Sequence, residues 1–203
     1  MILADFSRVP SPAKGASGRE SDDLAVAREQ LRDGLNRFAL KHGDFVLASG
    51  ARSTYYVNVK EICLRGKYLR LIGELLWPMM APLSPDAVGG MTLGADPIVS
   101  AVTMIAAEHG ADCPALIVRR EAKDHGTGRQ IEGPFSPGMR VAVVEDVTTT
   151  GESARRAADA IISAGGSVVG IFSVMNRAAG ADRLFGDLGW PFQSIFGLAD
   201  LNI

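Results

Sequence analysis

The spacing of apolar side chains divides the chain before any chemistry is considered. Leu24, Ala27, Leu31, Leu35 and Phe38 recur on one helical face, with Ser21 and Asp22 offering an N-cap and Gly43 a stop. From Phe45 to Val59 the pattern changes to a β excursion rich in Tyr and Val, interrupted at Ser49-Gly50-Ala51-Arg52, and this reads as a hairpin. Beyond Gly66, Leu69, Ile72, Leu75 and Leu76 mark a second helix, which Pro78 is expected to end or kink because it has no amide hydrogen. Then strand and helix alternate: strand Ala87–Gly90, helix Pro97–His109 with Gly110 after it, strand Ala115–Arg119, strand Arg140–Val144, helix Ser153–Ala164 closed by Gly165-Gly166, strand Ser167–Val174. His42 and His109 each precede a glycine at an expected helix end, where an imidazole can meet the last carbonyls.

Runs such as Val141-Ala142-Val143-Val144, apolar at every position, suit a strand covered on both faces. The fold expected is α/β, a central, mostly parallel sheet flanked by helices, with ligands beyond the carboxyl ends of the strands. Residues 1–21, with Ser-Pro-Ser-Pro and few large apolar groups, cannot repay the entropy of ordering and read as a flexible N-terminal extension. The remainder, 22–203, reads as one domain, with a small N-terminal hood over about 22–62 and a core over about 63–203.

Composition adds mainly exclusions. With 203 residues, 47% hydrophobic and 22% charged, the chain is an ordinary globular protein. A net charge of -2 with interspersed signs supplies no field for nucleic acid or an anionic membrane, so any anion site is local. Cys63 and Cys113 form no CxxC pair and read as small buried thiols in a reducing, cytoplasmic setting. No apolar stretch approaches the ~18 residues needed to span a bilayer, and no signal peptide is readable.

The chemistry concentrates in Val143-Val144-Glu145-Asp146-Val147-Thr148-Thr149-Thr150-Gly151-Glu152-Ser153. An apolar strand ends in two carboxylates, and a hydroxyl- and glycine-rich turn opens a helix. Amides at a helix N-terminus carry partial positive charge and suit a phosphate. The carboxylates would repel that phosphate but accept hydrogen bonds from sugar hydroxyls or attract hydrated Mg²⁺. The combination describes a sugar phosphate. A P-loop is excluded, because the GxxxxGK[ST] lysine is missing. A second segment, Arg119-Arg120-Glu121-Ala122-Lys123-Asp124-His125-Gly126-Thr127-Gly128-Arg129, is cation-rich with hinging glycines, and reads as a lid able to neutralise a leaving group. Glu121 and Glu152 have no evident ligand group to meet and read as solvated.

The first run resembles the phosphoribosyl diphosphate (PRPP) signature of the type I phosphoribosyltransferases, and the second is similar to the catalytic loop of the orotate phosphoribosyltransferase family. The resemblance spans roughly residues 24–203 and implies the type I fold. It implies that Glu145 and Asp146 hold the ribose hydroxyls, and that Val147, Thr148, Thr149, Thr150, Gly151, Glu152 and Ser153 bind the 5′-phosphate. Arg119, Arg120, Lys123 and His125 become diphosphate contacts, with Lys123, Asp124 and His125 as the catalytic group. Leu47–Asn58 is similar to the family's hood segment, which puts Tyr55 or Tyr56 on the base, while Arg177 matches the arginine that grips the orotate carboxylate, with Thr149 nearby. Mg²⁺ is implied as the cofactor, held through PRPP and water with no direct protein ligand. The implied partners are orotate and PRPP in pyrimidine (UMP) biosynthesis, without nucleic acid or membrane, in a homodimer whose Arg119–Arg129 loop is shared across the interface. The chain departs from the family at Ala48 and in the loop containing Gly94, where lysines are usual, and at Arg120, where lysine is usual. A purine or uracil phosphoribosyltransferase, or a non-catalytic regulator of the same fold, are the alternatives.

Overall fold

The computed structural model describes residues 18–46, 52–121 and 130–203. Helix α1 (Gly18–Gly34) brings Ala27 and Leu31 into the core and runs through a π-helical turn, Leu35–Ala39, straight into strand β1 (Leu40–Val46). Ser21 and Asp22 lie within α1 instead of capping it. The acidic side chains Asp22 and Asp23 suit the positive end of a helix, so nothing in this stretch forces a start at Ser21. Residues 18–21 therefore belong to a helix and not to a flexible extension; the rest of that expected extension lies outside the described residues. Gly43 is not a helix stop either. It sits inside β1, with φ +154°, where the ladder shifts register between His42 and Phe45. His42 is thus a strand residue opposite Tyr55, whereas His109 does close a helix, its Nδ1 lying 2.9 Å from the Ile105 carbonyl oxygen.

Strand β2 (Arg52–Val57) pairs antiparallel with β1, giving the expected hairpin. A short helical turn, α2 (Lys60–Cys63), anchors its end through the fully buried Ile62 and Cys63. In α3 (Gly66–Met80), Ile72, Leu76 and Met80 are buried. Pro78 neither starts nor stops α3: the helix continues for its last turn to Met80 and only then tightens into the 3₁₀ turn Ala81–Leu83.

The alternation expected from the sequence follows as β3 (Ala87–Met91), α4 (Asp96–Glu108), β4 (Ala115–Val118), β5 (Ile131–Glu132), β6 (Arg140–Thr148), α5 (Glu152–Ser163), β7 (Ser167–Asn176), α6 (Ala181–Asp187) and β8 (Phe192–Gly197). The sheet order is β5-β4-β3-β6-β7-β8, parallel throughout except for β5, which runs antiparallel to β4. Because β6 is central, Val141 to Val144 have no exposed face. Val88, Ala142, Val144 and Phe172 pack against α1, α3 and α4, while Val141, Val143 and Ile171 pack against α5 and α6. The first of these clusters includes Leu31, Leu35 and Val57, so hood and sheet share one apolar interior. Both cysteines are buried and free. No helix among the described residues is long and apolar enough to cross a membrane.

Candidate active site

Parallel strands that enter the sheet from the same edge all leave it at the other, and their exits converge. The segments after β3, β6 and β7 meet there under the hairpin, around a cleft of about 400 Å³. A second hollow of about 420 Å³, between β5 and the end of α5, is lined mainly by small and apolar groups such as Phe135, Pro137 and Ala160. Of the residues expected to bind sugar and phosphate, Glu145, Asp146, Val147, Thr149 and Ser153 line the first, and Thr148, Thr150, Gly151 and Glu152 do not.

Glu145 and Asp146 are carried by β6 itself, which runs four residues further than the apolar run alone indicates and keeps pairing with β7 as far as Thr148 opposite Asn176. Both carboxyls line the cleft and both are buried, Glu145 at 7% and Asp146 at 6% exposure. Asp146 Oδ1 accepts the Val147 amide at 2.9 Å and Oδ2 accepts the Lys60 ammonium at 2.8 Å. Among the described residues, Glu145 Oε2 has no hydrogen-bond partner. Burial first, and then the neighbouring Asp146 charge, push the Glu145 carboxyl up to about 8 against the opposing pull of Lys60 and Arg120. Burial pulls the Lys60 ammonium down, but its hydrogen bond to Asp146 and the charges of Asp146 and Glu145 outweigh that and raise it.

After β6 the chain turns through Thr149 and Thr150, both exposed, and enters α5 through Gly151. Gly151 has φ +86°, and a Cβ there would stand 2.7 Å from Phe185 Cζ, so this entry admits glycine alone. Thr149 and Ser153 line the cleft. Thr148 is buried, its hydroxyl without a hydrogen-bond partner among the described residues, and Val147 is half-buried at the cleft wall. The Glu152 carboxylate is turned along the helix to Arg155 and Arg156, in keeping with a solvated side chain.

Arg177, the first residue after β7, lines the cleft, and its amide donates to the Thr148 carbonyl at 2.8 Å. From the hairpin, Tyr56 faces the cleft and stands against Phe45 with ring centroids 5.7 Å apart, whereas Tyr55 packs against the core. Of the two basic residues that open the lid, Arg120 lines the cleft. Arg119 stands at the start of the segment expected to be a lid: its Nε donates to Glu132 at 3.0 Å, and its backbone exchanges hydrogen bonds with Gln130. Lys123, Asp124 and His125 lie outside the described residues, as does Ala48. In the β3–α4 loop, where a second departure falls, a Cβ on Gly94 would stand 2.7 Å from Asp146 Oδ1, so a side chain there would require Asp146 to shift.

Lys60 lines the cleft although sequence reasoning did not single it out, and the Thr92-Leu93-Gly94 loop, noted there only for a missing lysine, lines it too. Lys60 is an isolated cation two residues beyond the hood segment, without periodicity or partner in sequence, so no local signal marked it. Among the described residues there is no cluster of three or more His, Cys, Asp or Glu side chains suited to a metal.

A comparison with models of known protein families gave no match. Curated proteins do match: the chain is 45% identical over 179 residues to the orotate phosphoribosyltransferase of Corynebacterium glutamicum, covering 88% of this chain and 96% of that one. Among solved structures, orotate phosphoribosyltransferase of Mycobacterium tuberculosis H37Rv in complex with Fe(III) dicitrate superposes with a TM-score of 0.79 at 40% identity, over 87% of this chain and 99% of that one. The same enzyme in complex with PRPP gives a TM-score of 0.72 at 36% identity, over 86% and 98%. With similarity of this extent in sequence and in fold, the chain belongs to the orotate phosphoribosyltransferase family.

Proposed function

We propose that this chain transfers the 5-phosphoribosyl group of PRPP to orotate, releasing diphosphate and giving orotidine 5′-monophosphate for pyrimidine (UMP) biosynthesis in the cytoplasm. The bond broken joins ribose C1 to a diphosphate oxygen. The bond formed joins C1 to a ring nitrogen of orotate, which gives up its proton. The observation that carries this reading is the opening of the acid pair, the α5 N-terminus and Arg177 onto one cleft.

Each element has a role that its chemistry suits. Glu145 and Asp146 receive the ribose hydroxyls. The amides and hydroxyls from Val147 to Ser153 take the 5′-phosphate, at the positive end of α5. Arg177, with Thr149 beside it, pairs with the orotate carboxylate, and Tyr56 covers the ring with Tyr55 supporting the hairpin behind it. Arg120, Lys123 and His125 attend the departing diphosphate while Asp124 orients the lid and Arg119 acts from its stem. Positive charge builds on the sugar as the leaving group departs, giving an oxocarbenium-like transition state, while the cationic donors that attend the diphosphate stabilise the negative charge developing on the leaving group. Mg²⁺ fits the donor set as an ion held through PRPP oxygens and water: Asp146 is engaged by Lys60 and Val147, which leaves Glu145 as an outer contact. When bound, the ion disperses the charge of the diphosphate. The working unit is a homodimer whose Arg119–Arg129 loop closes the neighbouring site.

The experiment is a spectrophotometric assay of orotate consumption with PRPP and Mg²⁺. Uracil, adenine and hypoxanthine should give no turnover. A folded protein that leaves orotate unconsumed defeats the proposal.

A further inference from the structure

Asp146 is enclosed from three directions. The Val147 amide occupies Oδ1, Lys60 reaches Oδ2 from α2, and Gly94 lies so near that a Cβ added to it would stand 2.7 Å from Oδ1. The result is an asymmetric ion pair, with the Asp146 side chain 8% exposed and the Lys60 side chain 52% exposed. A half-exposed lysine draws little from such a pair. A carboxylate withdrawn from water depends on it, since a buried charge without a partner is costly.

The lysine is also well anchored. The α2 turn that carries it is pinned by Ile62 and Cys63, both fully buried, so the ammonium is delivered from a fixed backbone to the carboxylate. Each carboxylate oxygen has two lone pairs, so Oδ2 can accept from Lys60 and from one further donor in the cleft. Resting on the function proposed above, we infer that Lys60 is a positioning residue for the ribose: it fixes Asp146 so that the remaining lone pair of Oδ2 meets a sugar hydroxyl. Lys60 acts on the sugar through Asp146. The phosphate is gripped elsewhere, at the entry to α5, so the contributions of sugar and phosphate to binding separate experimentally.

The test is calorimetric titration of metal-free wild-type, Lys60→Met and Lys60→Arg proteins with ribose 5-phosphate and with inorganic phosphate. Lys60→Met should weaken ribose 5-phosphate about tenfold or more but phosphate by less than about twofold, and Lys60→Arg, keeping a charged donor, should recover most of the loss. In turnover, KM for PRPP should rise while KM for orotate stays nearly constant. Lys60→Gln provides a second neutral variant, and melting curves confirm that each variant is folded. Equal weakening of both ligands, no weakening, or failure of arginine to restore affinity overturns the inference. A wild-type protein that neither binds ribose 5-phosphate nor consumes orotate overturns the proposed function itself. A competent wild type beside an unaffected Lys60→Met overturns only the role of Lys60.

Discussion

A carboxyl group kept from water resists ionisation, and Glu145 shows what that does at neutral pH. With its titration pushed up to about 8 by burial and by Asp146, the folded protein holds a proton there that the unfolded chain, titrating near 4.5, has already released. The contribution is therefore fully present below pH 4.5 and is lost as pH rises towards 8. Glu145→Gln copies the neutral form, so its melting temperature should fall less than that of wild type between those limits, with the gap widening towards the alkaline end. Thermal denaturation across pH checks this, and parallel curves would refute it. For Arg177→Ala, the expectation is a rise in KM for orotate of about tenfold or more, with PRPP affinity unchanged, because in the proposed function this removes a bidentate charged contact from one substrate only. Steady-state kinetics with each substrate varied in turn decide it. Glu145, Asp146 and Arg177 were legible because each follows an apolar strand run, where ligands of open sheets gather. Which of Tyr55 and Tyr56 faces the cleft was not, since facing depends on the register against β1. Lys60 escaped because its partner lies in a different element.

Among the elements, the β6–α5 turn is the most exacting. Gly151→Ala forces a left-handed residue to carry a Cβ against Phe185. The cost should be about 1–3 kcal/mol of stability, together with weaker binding of inorganic phosphate, and chemical denaturation and calorimetry measure the two separately. A variant as stable as wild type would contradict the strained entry. The long elements were readable from periodicity, but their ends were not. Strand β6 outlasts its apolar run because carboxyl and hydroxyl residues keep pairing with β7, and α1 runs on into Leu35–Ala39 because its apolar stripe does not stop at Gly34. The short pieces α2, β5 and α6 carry too few residues for a period to emerge.

At the scale of the whole molecule, the prediction concerns how sites are assembled. If the Arg119–Arg129 loop serves the neighbouring subunit, Lys123→Ala and Asp146→Asn proteins, each inactive alone, should regain about a quarter of wild-type activity after mixed refolding, since half the random dimers then hold one intact site of two. Continued inactivity of a demonstrated heterodimer would place the loop over its own site. The α/β class was legible from the alternation of runs, whereas strand order was not, because order is a property of pairings between distant segments. That order carries a consequence for how specificity can change. In the proposed function the sugar and its phosphate are held by β6 and the entry to α5 and the acceptor by Arg177 at the exit of β7, and a hydrogen bond from the Arg177 amide to the Thr148 carbonyl links the two exits. On that reading donor and acceptor recognition are inherited on separate strands. A lineage could exchange the segment after β7 and acquire a new nucleobase, leaving its grip on the activated sugar intact.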